Sequence, residues 1–188
     1  PSKHTGNVLP FREMIVDENQ KILLGGKTIF SGYLTKQGFQ APSFEEGFKN
    51  LWRSQDLGRL DKNSKLILTG RQDKIFISGG ENINPYEIET ALTENEKIES
   101  SIVIPIPHFK FDQVPFAFYK SQKDFSDCEL NSFCKKKLHP FKIPHGFLSL
   151  KNVSFSSLKP SNEELSLIAR KQNIKKNISF KTFGDPKD

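Results

Sequence analysis

The sequence predicts an α+β protein. A subdomain of short β-strands over residues 1–70 is followed by a small, mobile α+β domain with a three-stranded sheet flanked by helices. Three observations predict it. Up to Gly70 the apolar residues come in short runs cut by glycines and turn residues, with no stretch at helical spacing. From Ile75 onward such runs alternate with helical periods. Between the two lies Gly70–Asp73, a charged break across which few contacts are expected, hence the mobility.

In the first part, "VLPFREMIVD" and "KILLGGKTIFSGYL" read as strands joined by a hairpin turn at Asp17-Glu18-Asn19. Residues 35–50, with Gly, Pro and acidic residues, read as a loop. "LWRSQDLGRLD" and "KLILTG" are two further strands linked through the turn-rich "DKNS". The second part opens with the strand "KIFIS", ended by Gly79-Gly80. Asn84 is placed to cap a helix with Pro85 at its first position and Glu87 three residues past the cap. Ile88, Ala91 and Leu92 form the apolar face of that helix. The strands "SSIVIPIP" and "QVPFAFYK" follow, then a helix over "DCELNSFCKKKL" closed by His139-Pro140. "HGFLSLKNV" returns as a strand. "PSNEELSLIARKQ" is a last helix with acidic residues in its first turn. The predicted order from Ile75 is β-α-β-β-α-β-α, followed by a polar tail.

Composition excludes several classes. At 188 residues, 35% hydrophobic and 27% charged, the chain can bury a core. No stretch approaches the ~20 apolar residues of a membrane helix, and no signal peptide is visible. Cys128 and Cys134, six apart, match neither a zinc knuckle nor a redox pair, and His4, His108, His139 and His145 show no metal-ligand spacing. No metal site is assigned, and a reducing cytoplasm is the expected setting. The net charge of +6 sits at one end: residues 135–188 hold 12 Lys and Arg against 4 Asp and Glu. That run lacks aromatic interleaving and any DNA-binding pattern, so a solvated basic face is expected rather than a nucleic-acid partner.

Several residues admit a plain and a chemical reading. Asp56 is either a turn aspartate or a carboxylate that accepts two ribose hydroxyls. Arg71 is a surface charge or a guanidinium clamp on a ribose or phosphate, and Asp73 is open in the same way. Gly79-Gly80 is a turn, or a stretch where a thin ligand passes without meeting Cβ atoms. Lys159 is one surface lysine among many, or an ammonium delivered to an anionic transition state from a loop ahead of a helix. No GxGxxG or GxxxxGK phosphate loop is present.

Taken together and in order, these stretches resemble the C-terminal part of the adenylate-forming superfamily, which holds the acyl- and aryl-CoA synthetases. "ILLGGKTIFSGYL" is similar to the family's glycine-bracketed strand ending in Gly-Tyr. "LWRSQDLGRLDKNSKLILTGRQDKIFISGGENINPYEIE" is similar to its run from the ribose aspartate through GR-x-D to GGENI-x-P-x-EIE. "HPFKIPHGFLSLKNVSFSSLK" resembles its closing segment, which ends on a lysine. The likeness covers nearly all of residues 6–170. Within the superfamily, "VLPFRE", "FISGGENINPYEIE" and "VIPIPHFKFDQVPFAFY" are most similar to the o-succinylbenzoate–CoA ligase branch of menaquinone biosynthesis.

The resemblance implies an acid–thiol ligase. ATP and a carboxylic acid yield an acyl-adenylate and pyrophosphate, and CoA thiol then displaces AMP to form the thioester. It makes residues 1–70 the C-terminal end of the large adenylation domain, residues 71–173 the mobile lid domain, and 174–188 a polar tail. Asp56 and Arg71 would bind the nucleotide, Asp73 would be the hinge, and Gly79 and Gly80 would line the CoA passage. Lys159 would be the adenylation lysine, with Lys151 as the fallback. Ser54-Gln55 replaces the family's Thr-Gly before Asp56, and Leu158 replaces the glycine before its lysine. Neither the TSGTTGxPK phosphate loop nor the YGxTE motif occurs. The chain, beginning mid-pattern at "PSKHTGNVLPFRE", therefore reads as an excised fragment unable to adenylate alone. ATP and Mg²⁺ would be bound mainly by the missing N-terminal portion of that domain, which is the expected partner, and CoA would be the co-substrate. The alternatives are a fatty-acyl or aryl-CoA ligase of other acid specificity, or a non-catalytic module that keeps the fold.

Overall fold

The computed structural model describes residues 7–42, 44, 50–153 and 160–175. It separates into two compact units, Pro1–Asp73 and Lys74–Asp188.

In the first unit β1 (Arg12–Val16), β2 (Lys21–Gly26), β5 (Trp52–Leu60) and β6 (Leu66–Arg71) form an antiparallel sheet in the order β1-β2-β5-β6. The expected hairpin at Asp17 is present: Asp17 N donates to Lys21 O, and Gln20 takes the left-handed conformation at φ 62°. Its register sets Met14 opposite Leu24 and Ile15 opposite Leu23. Residues 35–50 are not all loop. A second small hairpin, β3 (Tyr33–Thr35) with β4 (Gly38–Gln40), falls partly within them. Its three-residue strands are too short to carry a readable alternation.

The second unit begins with a hairpin, β7 (Phe76–Ser78) and β8 (Glu81–Ile83), in which Ser78 pairs with Glu81 and Phe76 with Ile83. The expected order lacks β8. Gly79 and Gly80 are the two loop residues, with φ 58° and 90°. Two positive φ values in a two-residue loop define the tight turn whose twist matches the flanking strands, and glycine adopts them without Cβ strain. Helix α1 (Pro85–Thr93) follows, and the Asn84 side chain accepts from Tyr86 N at 3.1 Å as its cap. Glu87 does not complete a capping box. Its carboxylate instead takes the Lys142 ammonium at 2.8 and 2.7 Å, tying α1 to the turn at Pro140–Lys142.

The strands β9 (Ile98–His108) and β10 (Asp112–Ser121) are antiparallel, and β11 (Phe147–Ser149) joins β10 in parallel, in the expected three-stranded sheet. Helix α2 (Asp127–Lys135) starts with a complete capping box between Ser126 and Glu129. The Ser126 backbone N–H, then Lys123, hold the Glu129 carboxyl at about 2. Helix α3 (Asn162–Lys175) is the last element among the described residues.

Both sheet faces are covered. Val103, Ala117 and Tyr119 meet Phe76, Ile83, Ile88, Leu92, Leu130 and Cys134 on one side; Ile104, Ile106, Phe116 and Phe118 meet Leu165 and Ala169 of α3 on the other. This double burial explains why β10 reads as a continuous apolar run instead of an alternation. Burial pushes the Cys134 thiol up to about 11, so it behaves as a small apolar side chain. No helix among the described residues is long and apolar enough to cross a membrane.

Candidate functional site

Three of the residues singled out in the sequence come together in the first unit. The register of β5 and β6 sets Asp56 directly opposite Arg71, so a pair fifteen residues apart in the chain is adjacent in space. Arg71 Nη1 donates to Asp56 Oδ1 at 2.9 Å. Its Nε and Nη2 donate to Asp73 Oδ1 and Oδ2 at 3.0 and 2.9 Å, a two-pronged pair across a single intervening residue. One planar guanidinium thus joins both carboxylates, which its fixed fork of donors suits and an ammonium would not. The hydrogen bond that Arg71 donates to Asp73, followed by the charges of the two carboxylates, raises the Arg71 pKa above its usual value. All three side chains are more than 40% exposed, so the cluster faces solvent as a preformed polar patch. Asp73 lies in the tight turn Gln72–Lys74, where the first unit ends.

Ser54 is a supporting residue with no assigned role in the sequence reading, where it counts only as a departure from a threonine. Its buried hydroxyl donates to Ile22 O at 2.9 Å and accepts from Asp56 N at 3.1 Å. The strand backbone that carries Asp56 is thereby pinned to β2. A hydroxyl two residues before the aspartate is the signal, and serine and threonine supply it equally.

In the second unit the two glycines differ. A Cβ on Gly79 would stand 2.9 Å from the Phe111 ring, whereas one on Gly80 would meet nothing within 4 Å. Gly79 N also donates to Phe111 O at 3.0 Å. Gly79 is therefore packed against its own unit, and Gly80 presents bare backbone to open space. Phe111, from the turn between β9 and β10, is the backing residue that motif reading alone misses. Its connection to Gly79 spans 32 residues of sequence.

Lys159 lies outside the described residues, as does most of the polar tail. Lys151, the fallback, is engaged within its own unit: its ammonium donates to Gln122 O and stands 3.6 Å from Asp124. Among the described residues no group of three His, Cys, Asp or Glu is placed to hold a metal ion.

A β-unit ending in an Asp-Arg-Asp cluster, followed in the chain by a double-wrapped three-stranded sheet and a Gly-Gly hairpin, is the organisation that the resemblance to adenylate-forming enzymes leads one to expect. Comparison with known proteins agrees. The chain is 35% identical over 140 residues to the 2-succinylbenzoate–CoA ligase of Listeria monocytogenes serotype 4b, covering 74% of this chain and 29% of that protein. It superposes on E. coli MenE bound to an analogue of OSB-AMS with a TM-score of 0.73 at 26% identity, over 92% of this chain and 37% of that one. The o-succinylbenzoate CoA synthetase of Bacillus subtilis, in complex with the acyl-adenylate intermediate OSB-AMP, gives 0.66 at 26% identity, over 87% and 35%. No family model matches the chain. The chain is thus a homologue of 2-succinylbenzoate–CoA ligases, and its structural neighbours are adenylate-forming acyl-CoA synthetases. It spans about 29% of the length of the curated relative it matches.

Proposed function

We propose that this chain is the C-terminal portion of an AMP-forming acid–CoA ligase acting on o-succinylbenzoate in the cytoplasm. In this reading residues 1–70 end the large adenylation domain and residues 71–173 are its mobile lid. The observation that carries the proposal is the Arg71 guanidinium shared by Asp56 and Asp73. An exposed carboxylate beside a guanidinium fits a nucleotide: Asp56 accepts the ribose hydroxyls while Arg71 holds negative charge nearby. Once the nucleotide engages Asp56 and Arg71, the grip of Arg71 on Asp73 loosens, and Asp73 serves as the hinge. Lys159 offsets the charge that develops as the substrate carboxylate attacks the α-phosphorus and pyrophosphate leaves. In the second half-reaction the thiol of CoA attacks the acyl carbonyl of the adenylate and AMP departs. The bare backbone at Gly80 lines the path of the thiol arm. Mg²⁺, which the resemblance assigns mainly to the N-terminal portion of the large adenylation domain, would offset phosphate charge there.

Arg71→Ala tests the cluster. Folding stability should change by no more than about 1 kcal/mol, because exposed ion pairs contribute little. The KM for ATP in the complete protein should rise roughly tenfold or more, as expected for losing a charge-assisted hydrogen bond. A thermal melt and an ATP titration measure the two effects, and an unchanged KM would remove Arg71 from the nucleotide site.

The whole proposal is tested by ATP–pyrophosphate exchange. This chain alone should show no acid-dependent exchange. The complete protein should show it with o-succinylbenzoate and much less with benzoate or fatty acids. Exchange by the isolated chain would defeat the fragment reading, and a preference for a fatty acid would defeat the assigned substrate.

A further inference from the structure

The turn between β9 and β10 is built around one imidazole. His108 Nδ1 accepts from the backbone N–H groups of Lys110 and Phe111, both at 3.3 Å. A nitrogen that accepts must be unprotonated, so this contact requires neutral His108. The same ring stacks on Phe111, with centroids 5.0 Å apart and planes 15° from parallel. Phe111 in turn supplies both contacts that back Gly79: its carbonyl takes the Gly79 N–H, and its ring fills the space beside the Gly79 α-carbon. The line from His108 to the glycine turn is thus continuous, and every link is a hydrogen bond or a ring contact.

We propose that His108 is a positioning residue: neutral, it holds Phe111 against Gly79 and so fixes the Gly79-Gly80 turn in the geometry that thioester formation uses. This rests on the reading that the glycines line the thiol path. The groups facing His108 are Lys110 on the same turn, Asp112 opposite it in the β9–β10 register, and His145 ahead of β11, whose ring lies 5.1 Å away edge-on. Desolvation, then the Lys110 charge, lowers the His108 pKa; desolvation, then His108 itself, lowers that of His145. A depressed histidine pKa means the neutral, turn-holding form is fully present above the ordinary value of about 6.5 and is lost as pH falls through the lowered folded-state pKa beneath it. Acid therefore puts a proton where two N–H groups point and releases Phe111 from Gly79.

The experiment uses the complete protein with two variants. His108→Phe keeps an aromatic ring on Phe111 but removes the acceptor. His108→Asn keeps a side-chain acceptor for N–H groups two and three residues on, and does not titrate. Hydrogen exchange at Gly79 and single-turnover transfer from purified o-succinylbenzoyl-adenylate to CoA are followed from pH 5.5 to 8 (conditions chosen to bracket about 6.5). In His108→Phe, Gly79 exchange should quicken and transfer should slow about tenfold, the scale of one lost hydrogen bond, with adenylation unchanged. His108→Asn should recover transfer to within about threefold and lack the extra fall below about pH 6.5 that the parent shows. Unchanged Gly79 exchange in His108→Phe would overturn the positioning role. Faster exchange with full transfer would overturn it too, by separating the turn from the reaction. The underlying reading fails on a different result, full transfer by a Gly80→Val protein.

Discussion

Replacing Lys159 with alanine in the complete protein should slow adenylation about 10²–10³-fold, the usual loss when one charge-stabilising donor is removed from a developing anion. Transfer from purified acyl-adenylate to CoA should stay within about threefold of the parent, because that step no longer involves the carboxylate attack on phosphorus. The companion variant, Lys151→Ala, should leave adenylation nearly intact. The Lys151 ammonium is already held by Gln122 O and stands near Asp124, so delivering it elsewhere would break contacts that it now makes. Pyrophosphate exchange on both variants decides the assignment. A large loss for Lys151→Ala with none for Lys159→Ala would reverse the roles of the two lysines.

Gly80→Val should reduce thioester formation about 10²-fold or more while adenylation continues, the scale of a misplaced reacting group. Its folding cost is conformational alone. The backbone at φ 90° strains any L side chain by roughly 1–2 kcal/mol, and no atom lies within 4 Å of the new Cβ. Gly79→Ala is the informative contrast. Its conformational cost at φ 58° is the smaller one, inside the allowed left-handed region, but its Cβ would stand 2.9 Å from the Phe111 ring, adding roughly 1–3 kcal/mol of overpacking. Gly79→Ala should therefore lower the melting temperature by more than backbone strain alone accounts for, and Gly80→Val by its backbone strain only. Both proteins are compared by thermal melting and by transfer from purified adenylate. A Gly80→Val protein that melts normally and transfers at the parent rate would remove the glycines from the thiol path.

Much of the framework is legible in the chain. Asn84-Pro85 announces a helix start because the cap and the fixed proline φ act within a few residues, and the structure places the cap there. The hairpin at Asp17 and the paired strands β5 and β6 are equally local. What escapes is short or shared. The three residues of β8 follow a Gly-Gly that reads as a terminator until its partner strand is seen, although a two-residue Gly-Gly loop is itself a hairpin signal. Glu87 has the spacing of a capping box, yet a lysine 55 residues on claims its carboxylate. At Ser126 and Glu129 the same pattern does form, because Lys123, close by, supports the box instead of competing with it.

The α+β class, the Gly-Gly and the residues worth testing are all readable in the chain, because capping, turn formation and apolar periodicity are settled over a few neighbouring residues. Which of those residues meet is settled in three dimensions. Strand register set Asp56 against Arg71, and a hairpin turn carried Phe111 and His108 to Gly79. The tertiary structure also separated two glycines that look identical in the chain, one packed and one open. Such pairings depend on the sum of weak contacts across the whole sheet, and no short stretch of sequence contains that sum.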